Sequence, residues 1–229
     1  MRTYGTNDGE TVTGAEAVGR RWRDLGGGAV GFAFRYGKPD TGDALRQLVK
    51  EGAGRVVALP LYPQYCRATV GSHREELKRA LLAWDDISWV IPVQHWYLDP
   101  SFVQAWVARL ERALAEIPGE ERDRTLVIFS AHGIPLRLVR SGDPYLKQVE
   151  DTVSAILFRT RVPRWRLAYQ SGGGGPIAWS RPFLSDALQD AAGSGCRGVL
   201  VVPVSFVCDN VETLYDLDIE LAGQARGLG

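Results

Sequence analysis

The regular alternation of short apolar runs with longer amphipathic stretches is the feature that most constrains how this chain folds. The runs LVIF (126–129) and VLVVPV (199–204) are continuously apolar, which is typical of strands buried on both faces of a parallel sheet. The stretches between such runs have helical spacing and are long enough to cross over between parallel strands. The pattern therefore predicts an α/β fold with parallel sheets. We predict strands at 29–34, 56–61, 89–93, 126–129, 166–169 and 199–206, and helices near 13–24, 40–51, 72–84, 100–117, 143–160, 181–193 and from about 209 onward.

Charge and cysteine content exclude several classes of protein. Lysine plus arginine and aspartate plus glutamate both number 27, so the formal net charge is zero and no basic footprint for nucleic acid is present. No stretch has the roughly 18 consecutive apolar residues of a membrane-spanning helix, and the opening MRTYGTNDGE lacks the apolar core of a secretory signal. The three cysteines form no CxxC pair, so neither a disulfide framework nor a four-thiolate metal site is predicted. We therefore expect a cytoplasmic globular protein that does not bind nucleic acid.

Residues with reactive or polar side chains follow the predicted strands. Ligands of open parallel sheets bind outside the carboxyl ends of the strands, so these segments predict a site at one rim of the fold. They are RYG (35–37), YPQYC (62–66), HWYLDP (95–100), SAHG (130–133), QSGGGG (170–175) and SFVCDNVE (205–212). The glycine run within 172–175 resembles a phosphate-binding loop only weakly, because no Lys-Ser/Thr pair follows it, and a wide turn is the simpler interpretation.

His132 comes directly after the buried run LVIF, in the segment SAHGIP. Two interpretations are open for a lone histidine at such a place. It is either a hydrogen-bonding loop residue, or a base or metal ligand that changes its protonation near neutral pH.

Glu212, Asp216 and Glu220 recur at every fourth residue and so predict an acidic stripe along one helix. Like charges at this spacing destabilise a helix by about 0.2–0.5 kcal/mol per pair, and no lysine or arginine lies nearby to offset them. The stripe is either an exposed acidic face or a path for a cation. The apolar residues on most other sides of the helix favour the second interpretation, because carboxylates are ligands for hard and borderline cations.

Five motifs in order resemble the ferrochelatase family, whose members insert ferrous iron into a porphyrin. They are LPLYPQYCRATVGS (59–72), FSAHGIP (129–135), GDPY (142–145), YQS…W (169–179) and FVCDNVETLYDLDIE (206–220). The resemblance implies a chelatase-type fold of two Rossmann-like lobes with parallel sheets and a porphyrin cleft between the lobes. It places the N-terminal lobe at 1–94 and the C-terminal lobe, with the histidine and glutamate motifs, at 95–229. Relative to the family, the chain is expected to be shortened at both ends and to lack the first βα unit.

The resemblance also assigns roles to individual residues. It implies that His132 accepts the pyrrole protons, that Glu212 is catalytic and stands opposite it, and that iron is inserted into coproporphyrin III or protoporphyrin IX in haem biosynthesis. The implied metal ligands are His132, Glu212, Asp216 and Glu220, and the implied porphyrin-binding residues are Arg35, Tyr36 and Tyr97. Asn210 departs from the pattern, since many relatives have a histidine there.

The implied partners are porphyrin and ferrous iron, both of them substrates, with peripheral membrane contact possible. No organic cofactor is expected, and no iron–sulphur cluster, because the cysteines that hold it in some relatives have no counterparts here. Two alternatives stay open: a porphyrin- or haem-binding protein without turnover, and a chelatase for another divalent metal.

Overall fold

The computed structural model describes residues 8–84, 89–170, 172 and 176–229 and shows a mixed α/β chain. The glycines at 173–175, for which a turn is predicted, lie outside these residues. The chain divides into two compact units. Unit 1 comprises the residues up to Leu61 together with Cys66–Gln94, and unit 2 comprises Tyr62–Tyr65 and His95–Gly229. The parallel α/β architecture predicted from the alternating pattern is confirmed.

Unit 1 contains a short parallel sheet with helices around it. Its elements are α1 (Asp8–Asp24), α2 (Thr41–Lys50), β1 (Val56–Ala58), a π-helix (Arg67–Gly71) that continues into α3 (Ser72–Leu81), and β2 (Val90–Pro92). Strands β1 and β2 pair in parallel, with Val56 opposite Val90. Helix α2 begins after a capping box in which the Asp40 side chain accepts from the Asp43 N–H. Leu45 and Leu48 of this helix are buried together with residues of β1, α3 and β2.

The predicted strand at 29–34 is wrong: the structure has no strand there. The Phe34 N–H donates to the Pro39 carbonyl, which turns the chain toward α2. The run packs instead against helices, with Val30 beside Gly19 of α1 and Gly31 beside Leu48 of α2. An apolar run becomes a strand only where a neighbouring strand supplies hydrogen bonds, and among the described residues β1 and β2 pair with each other.

Unit 2 contains a three-stranded parallel sheet in the order β4-β3-β5 among the described residues. Its elements are α4 (Pro100–Glu116), α5 (Gly119–Arg122), β3 (Thr125–His132), α6 (Leu136–Arg140), α7 (Tyr145–Leu157), β4 (Trp165–Gln170), α8 (Leu184–Gly193), β5 (Gly198–Pro203), a π-helix (Glu212–Leu221) and α9 (Ala222–Gly227). The π-helix Glu212–Leu221 is called the site helix below. No helix in the described part of the chain is long and apolar enough to cross a bilayer.

The central strand β3 carries the core of unit 2. Ile128, Phe129 and Ala131 are fully buried, and Leu126 and Ile128 pack with residues of α8 and the site helix. Burying one such large apolar side chain contributes roughly 1.5–3 kcal/mol, so this core holds the site helix against the sheet. Because the strands are parallel, their carboxyl ends lie at one edge, where His132 of β3 pairs with Gln170 of β4.

The segment Tyr62–Tyr65 packs as part of unit 2, although its neighbours in sequence belong to unit 1. The buried amide of Gln64 donates to the Thr152 hydroxyl (3.1 Å) and to the Val204 carbonyl (3.3 Å). The Tyr65 N–H donates to the side-chain oxygen of Gln148 in α7 (2.7 Å). A buried amide without partners is costly, so these bonds fix the segment on α7.

Candidate active site

His132 is the last residue of β3, because the strand extends three residues beyond the predicted end at Phe129. Its backbone N–H donates to the hydroxyl of Ser205, which follows β5 (3.2 Å). The next residue, Gly133, lies so close to β4 that a Cβ there would be 3.0 Å from the Gln170 carbonyl oxygen. The imidazole is therefore positioned by a buried sheet, while its side chain remains 41% exposed.

Glu212 is the first residue of the site helix, and its Oε2 lies 2.6 Å from Nδ1 of His132. An ionised carboxylate only accepts hydrogen bonds, so a neutral imidazole that donates to it from Nδ1 has its acceptor nitrogen at Nε2. The contact is short, as is typical of a charge-assisted hydrogen bond. Such a contact orients an imidazole ring.

His132 and Glu212 are in direct contact, with 2.6 Å between Nδ1 and Oε2. The expectation that Glu212 stands opposite His132 during the reaction stays a prediction. Hydrogen bonds also reach the Glu212 backbone. Its N–H donates to Oδ1 of Asn210 (2.8 Å), and its carbonyl accepts from Nε2 of Gln170 (3.4 Å).

Gln170 and two serines support the pair, and no role is predicted for them from the sequence. Gln170 is 5% exposed, and its Oε1 accepts from the buried hydroxyl of Ser130 (3.1 Å), which fixes the orientation of the amide. Ser205 holds the His132 backbone. The signal in the sequence is that polar residues interrupt otherwise apolar strand ends, in SAHG, YQS and VSF. A buried polar side chain needs a partner, so such interruptions indicate a network.

Asp216 and Glu220 lie further along the site helix, beside a pocket of about 320 Å³ that also contacts Tyr169, Gln170 and Gln224. The prediction of a helix from about 209 is confirmed with a later start at Glu212 and a wider turn, because the segment is π-helical. Asp216 is half-buried and Glu220 is exposed. Burial raises the pKa of Tyr169 to about 12, helped by the negative charge of Glu150. The folded protein therefore keeps the Tyr169 proton to a higher pH than an unfolded chain does.

The four predicted metal ligands do not form one ligand set. His132 and Glu212 are in contact, whereas Asp216 and Glu220 line the pocket. Within residues 8–84, 89–170, 172 and 176–229, no three His, Cys, Asp or Glu side chains are grouped so that they could hold a metal ion. The metal roles of all four residues stay predictions.

The predicted porphyrin-binding residues lie in both units. In unit 1, Arg35 contacts Ser72 (3.0 Å) and Glu76 (3.4 Å) of α3, and its guanidinium lies over the Tyr36 ring, which is 86% exposed. In unit 2, the Tyr97 ring lies beside His95, and the Tyr97 carbonyl accepts from Thr152. Their contact with a porphyrin stays a prediction.

Unit 2 thus defines a class: parallel α/β proteins whose site joins an imidazole to a carboxylate at the carboxyl ends of the strands. A family profile described as ferrochelatase matches residues 11–229. A ferrochelatase of Geotalea uraniireducens is 42% identical over 206 residues, covering 90% of this chain and 64% of the relative. Ferrochelatases of Desulfotalea psychrophila (36% identical; 96% and 67% covered) and Aquifex aeolicus (36%; 87% and 63%) are also similar. The chain belongs to the ferrochelatase family, and it spans about 64% of the length of the first of these relatives.

Proposed function

We propose that the protein is a ferrochelatase that inserts ferrous iron into coproporphyrin III or protoporphyrin IX in haem biosynthesis. The single observation that carries the proposal is the 2.6 Å contact between His132 and Glu212 in a member of this family. A free-base porphyrin must lose two N–H protons as the metal enters. The reaction therefore requires a base at the site, and an imidazole whose Nδ1 donates to a carboxylate can accept these protons at Nε2.

In the proposed mechanism, His132 takes the pyrrole protons one at a time. Nε2 accepts a proton while Nδ1 remains hydrogen-bonded to Glu212, and the carboxylate stabilises the resulting imidazolium. The 41% exposure of the His132 side chain gives the proton a route to solvent before the second transfer. Glu212 acts by orienting the ring and by its negative charge, in the way that a buried carboxylate supports a histidine base in other enzymes.

Asp216 and Glu220 are proposed to deliver the iron. Aqueous ferrous iron must exchange water for other ligands before it enters a macrocycle, and carboxylate oxygens are suitable temporary ligands. The two carboxylates line the same pocket, next to Gln170. Because iron is a substrate that must leave again, weak binding by few carboxylates suits this role better than a closed set of ligands.

Arg35, Tyr36 and Tyr97 are proposed to bind the porphyrin. A guanidinium suits the carboxylates of a porphyrin side chain, and exposed aromatic rings suit its flat apolar face. No organic cofactor is needed for this chemistry. We infer a cytoplasmic location, as expected from the sequence.

The test is an anaerobic assay in which the protein is mixed with ferrous iron and each of the two porphyrins, and the absorbance spectrum is followed. We expect the free-base bands to change into metalloporphyrin bands, and the His132→Ala variant to bind porphyrin without this change. Binding without conversion by the unmodified protein would instead identify a porphyrin-binding protein. Faster conversion with zinc or cobalt than with iron would identify a chelatase for another metal.

A further inference from the structure

Asn210 lies two residues before Glu212, and both its side chain and its backbone N–H make hydrogen bonds to Glu212 and Thr213. Its Oδ1 accepts from the N–H groups of Glu212 (2.8 Å) and Thr213 (3.2 Å). In return, the Asn210 N–H donates to the Thr213 hydroxyl (2.9 Å). This reciprocal pattern is that of a side chain capping the start of a helix. The helical turn that it caps starts at Val211 and continues into the site helix.

We propose that Asn210 is a positioning residue that holds the Glu212 carboxylate against His132. The inference rests on the proposed function, because it assigns Asn210 a role through the pair that the proposal makes catalytic. It also accounts for an asparagine at this position: an amide side chain supplies the acceptor that the first N–H groups of the site helix need.

At the start of a helix, the helix's own hydrogen bonds do not fully fix the position of the backbone. The first N–H groups of a helix have no partners within it, so the Glu212 peptide is not held from its N-terminal side by a preceding turn. Asn210 holds its N–H, and Gln170 holds its carbonyl from the sheet. The two peptide units that flank the Glu212 Cα are thereby each held by a side chain.

The contact between the two side chains tolerates little displacement. A hydrogen bond of 2.6 Å between His132 Nδ1 and Glu212 Oε2 weakens steeply when distance or angle changes. A displacement of about 1 Å in an active site lowers a rate by up to roughly a hundredfold. Without Asn210, the first residue of the site helix gains freedom, and the carboxylate no longer orients the imidazole in every molecule.

Asp99 provides a matched control, because it caps α4 in the same unit with nearly the same geometry. Its Oδ1 accepts from the N–H groups of Ser101 (2.9 Å) and Phe102 (3.1 Å). Removing either cap lowers the stability of the protein by a similar amount. Any difference in catalysis between Asn210→Ala and Asp99→Ala then reports on position, since the loss of stability is common to both.

The kinetic experiment compares Asn210→Ala, Asn210→Asp and Asp99→Ala in the full chain. We expect Asn210→Ala to lower kcat by about tenfold to a hundredfold while KM for porphyrin stays unchanged. Asn210→Asp, which keeps the acceptor oxygen, should restore most of kcat. At saturating porphyrin, the kcat of Asp99→Ala should lie well above that of Asn210→Ala. Equal kcat in the two alanine variants, at equal loss of stability, would overturn the proposal.

A second readout does not depend on activity. The proton between His132 Nδ1 and a carboxylate at 2.6 Å should give a low-field signal in the proton NMR spectrum. The signal should vanish in Glu212→Gln, weaken or vanish in Asn210→Ala, and persist in Asp99→Ala and Asn210→Asp. A signal unchanged in Asn210→Ala would refute the positioning role. If the signal behaves as expected but no porphyrin is metallated, the proposed function fails while the positioning role stands.

Discussion

The start of the site helix and its later part both carry carboxylate side chains, but in different surroundings. At its start, Glu212 is in contact with His132 and its backbone is held by Asn210 and Gln170. Further along, Asp216 and Glu220 line a pocket, the first half-buried and the second exposed. A carboxylate fixed against an imidazole suits proton transfer, whereas carboxylates beside a pocket suit transient binding of a cation. The proposed roles of these carboxylates therefore differ because their surroundings in the fold differ, although the side chains are chemically alike.

The largest effect is expected from removing the base. His132→Ala should lower the rate of iron insertion by roughly 10²–10⁴-fold, the usual contribution of a general base. Porphyrin binding and the fold should be retained, because the imidazole is partly exposed and lies at the end of β3, outside the buried core of unit 2. Steady-state kinetics and porphyrin titration measure the two quantities. Retention of most of the rate would show that another group accepts the protons.

Glu212→Gln should have the next largest effect, a loss of roughly a hundredfold in kcat. The amide keeps the shape of the side chain but removes the charge that stabilises the imidazolium. Saturating iron should not restore the rate, because the change affects proton transfer. If high iron restored the rate, Glu212 would act in iron delivery. The proposed difference between the His132–Glu212 pair and the carboxylates of the pocket would then be wrong.

The raised pKa of Tyr169, which lines the pocket, can be tested through the pH dependence of stability. Its pKa is raised to about 12 in the folded protein, compared with about 10 in an unfolded chain. The folded state therefore keeps the proton between pH 10 and 12 while the unfolded state releases it, so stability falls as the pH rises through this window. The loss amounts to roughly 2–3 kcal/mol. Urea unfolding of the unmodified protein and of Tyr169→Phe, at pH 8 and at steps up to pH 12, should show that the variant lacks this part of the loss.

Asp216→Asn and Glu220→Gln should have the smallest effects on insertion. Each should raise the iron concentration needed for half-maximal rate by severalfold, up to about tenfold, because one oxygen ligand is replaced by a weaker one. The maximal rate should change little. Kinetics at varied iron, with Asp190→Asn at an exposed position of α8 as a charge control, measure the shift. A fall in the maximal rate without a shift in iron dependence would assign these carboxylates to proton transfer.

Most of the helices and strands can be predicted from the sequence, because the pattern of neighbouring residues specifies them. The apolar runs in β3 and β5 and the helical spacing between them are properties of neighbouring residues. The run at 29–34 shows the limit, since its apolar residues suit either a strand or a segment packed on helices, and only the availability of a partner strand decides. The wide turn of the site helix was likewise not predicted, because spacings of four and five residues differ too little in a short acidic pattern.

The candidate site was predictable in its residues but not in its contacts. His132 ends β3 and Glu212 lies after β5, and parallel topology brings both to one edge. Bonds from Asn210 and Gln170 reach the Glu212 N–H and carbonyl, and they join segments that are up to 42 residues apart in sequence. Such distances follow from packing, which no local pattern records.

The most direct test of the division between pair and pocket is a single-turnover experiment. Protein loaded with porphyrin is mixed anaerobically with saturating ferrous iron, and the change to metalloporphyrin bands is timed for the unmodified protein and four variants: His132→Ala, Glu212→Gln, Asp216→Asn and Glu220→Gln. We expect slow conversion in the first two variants and nearly normal conversion in the last two. Equal rates in all four variants would contradict the proposed division between proton transfer and iron delivery.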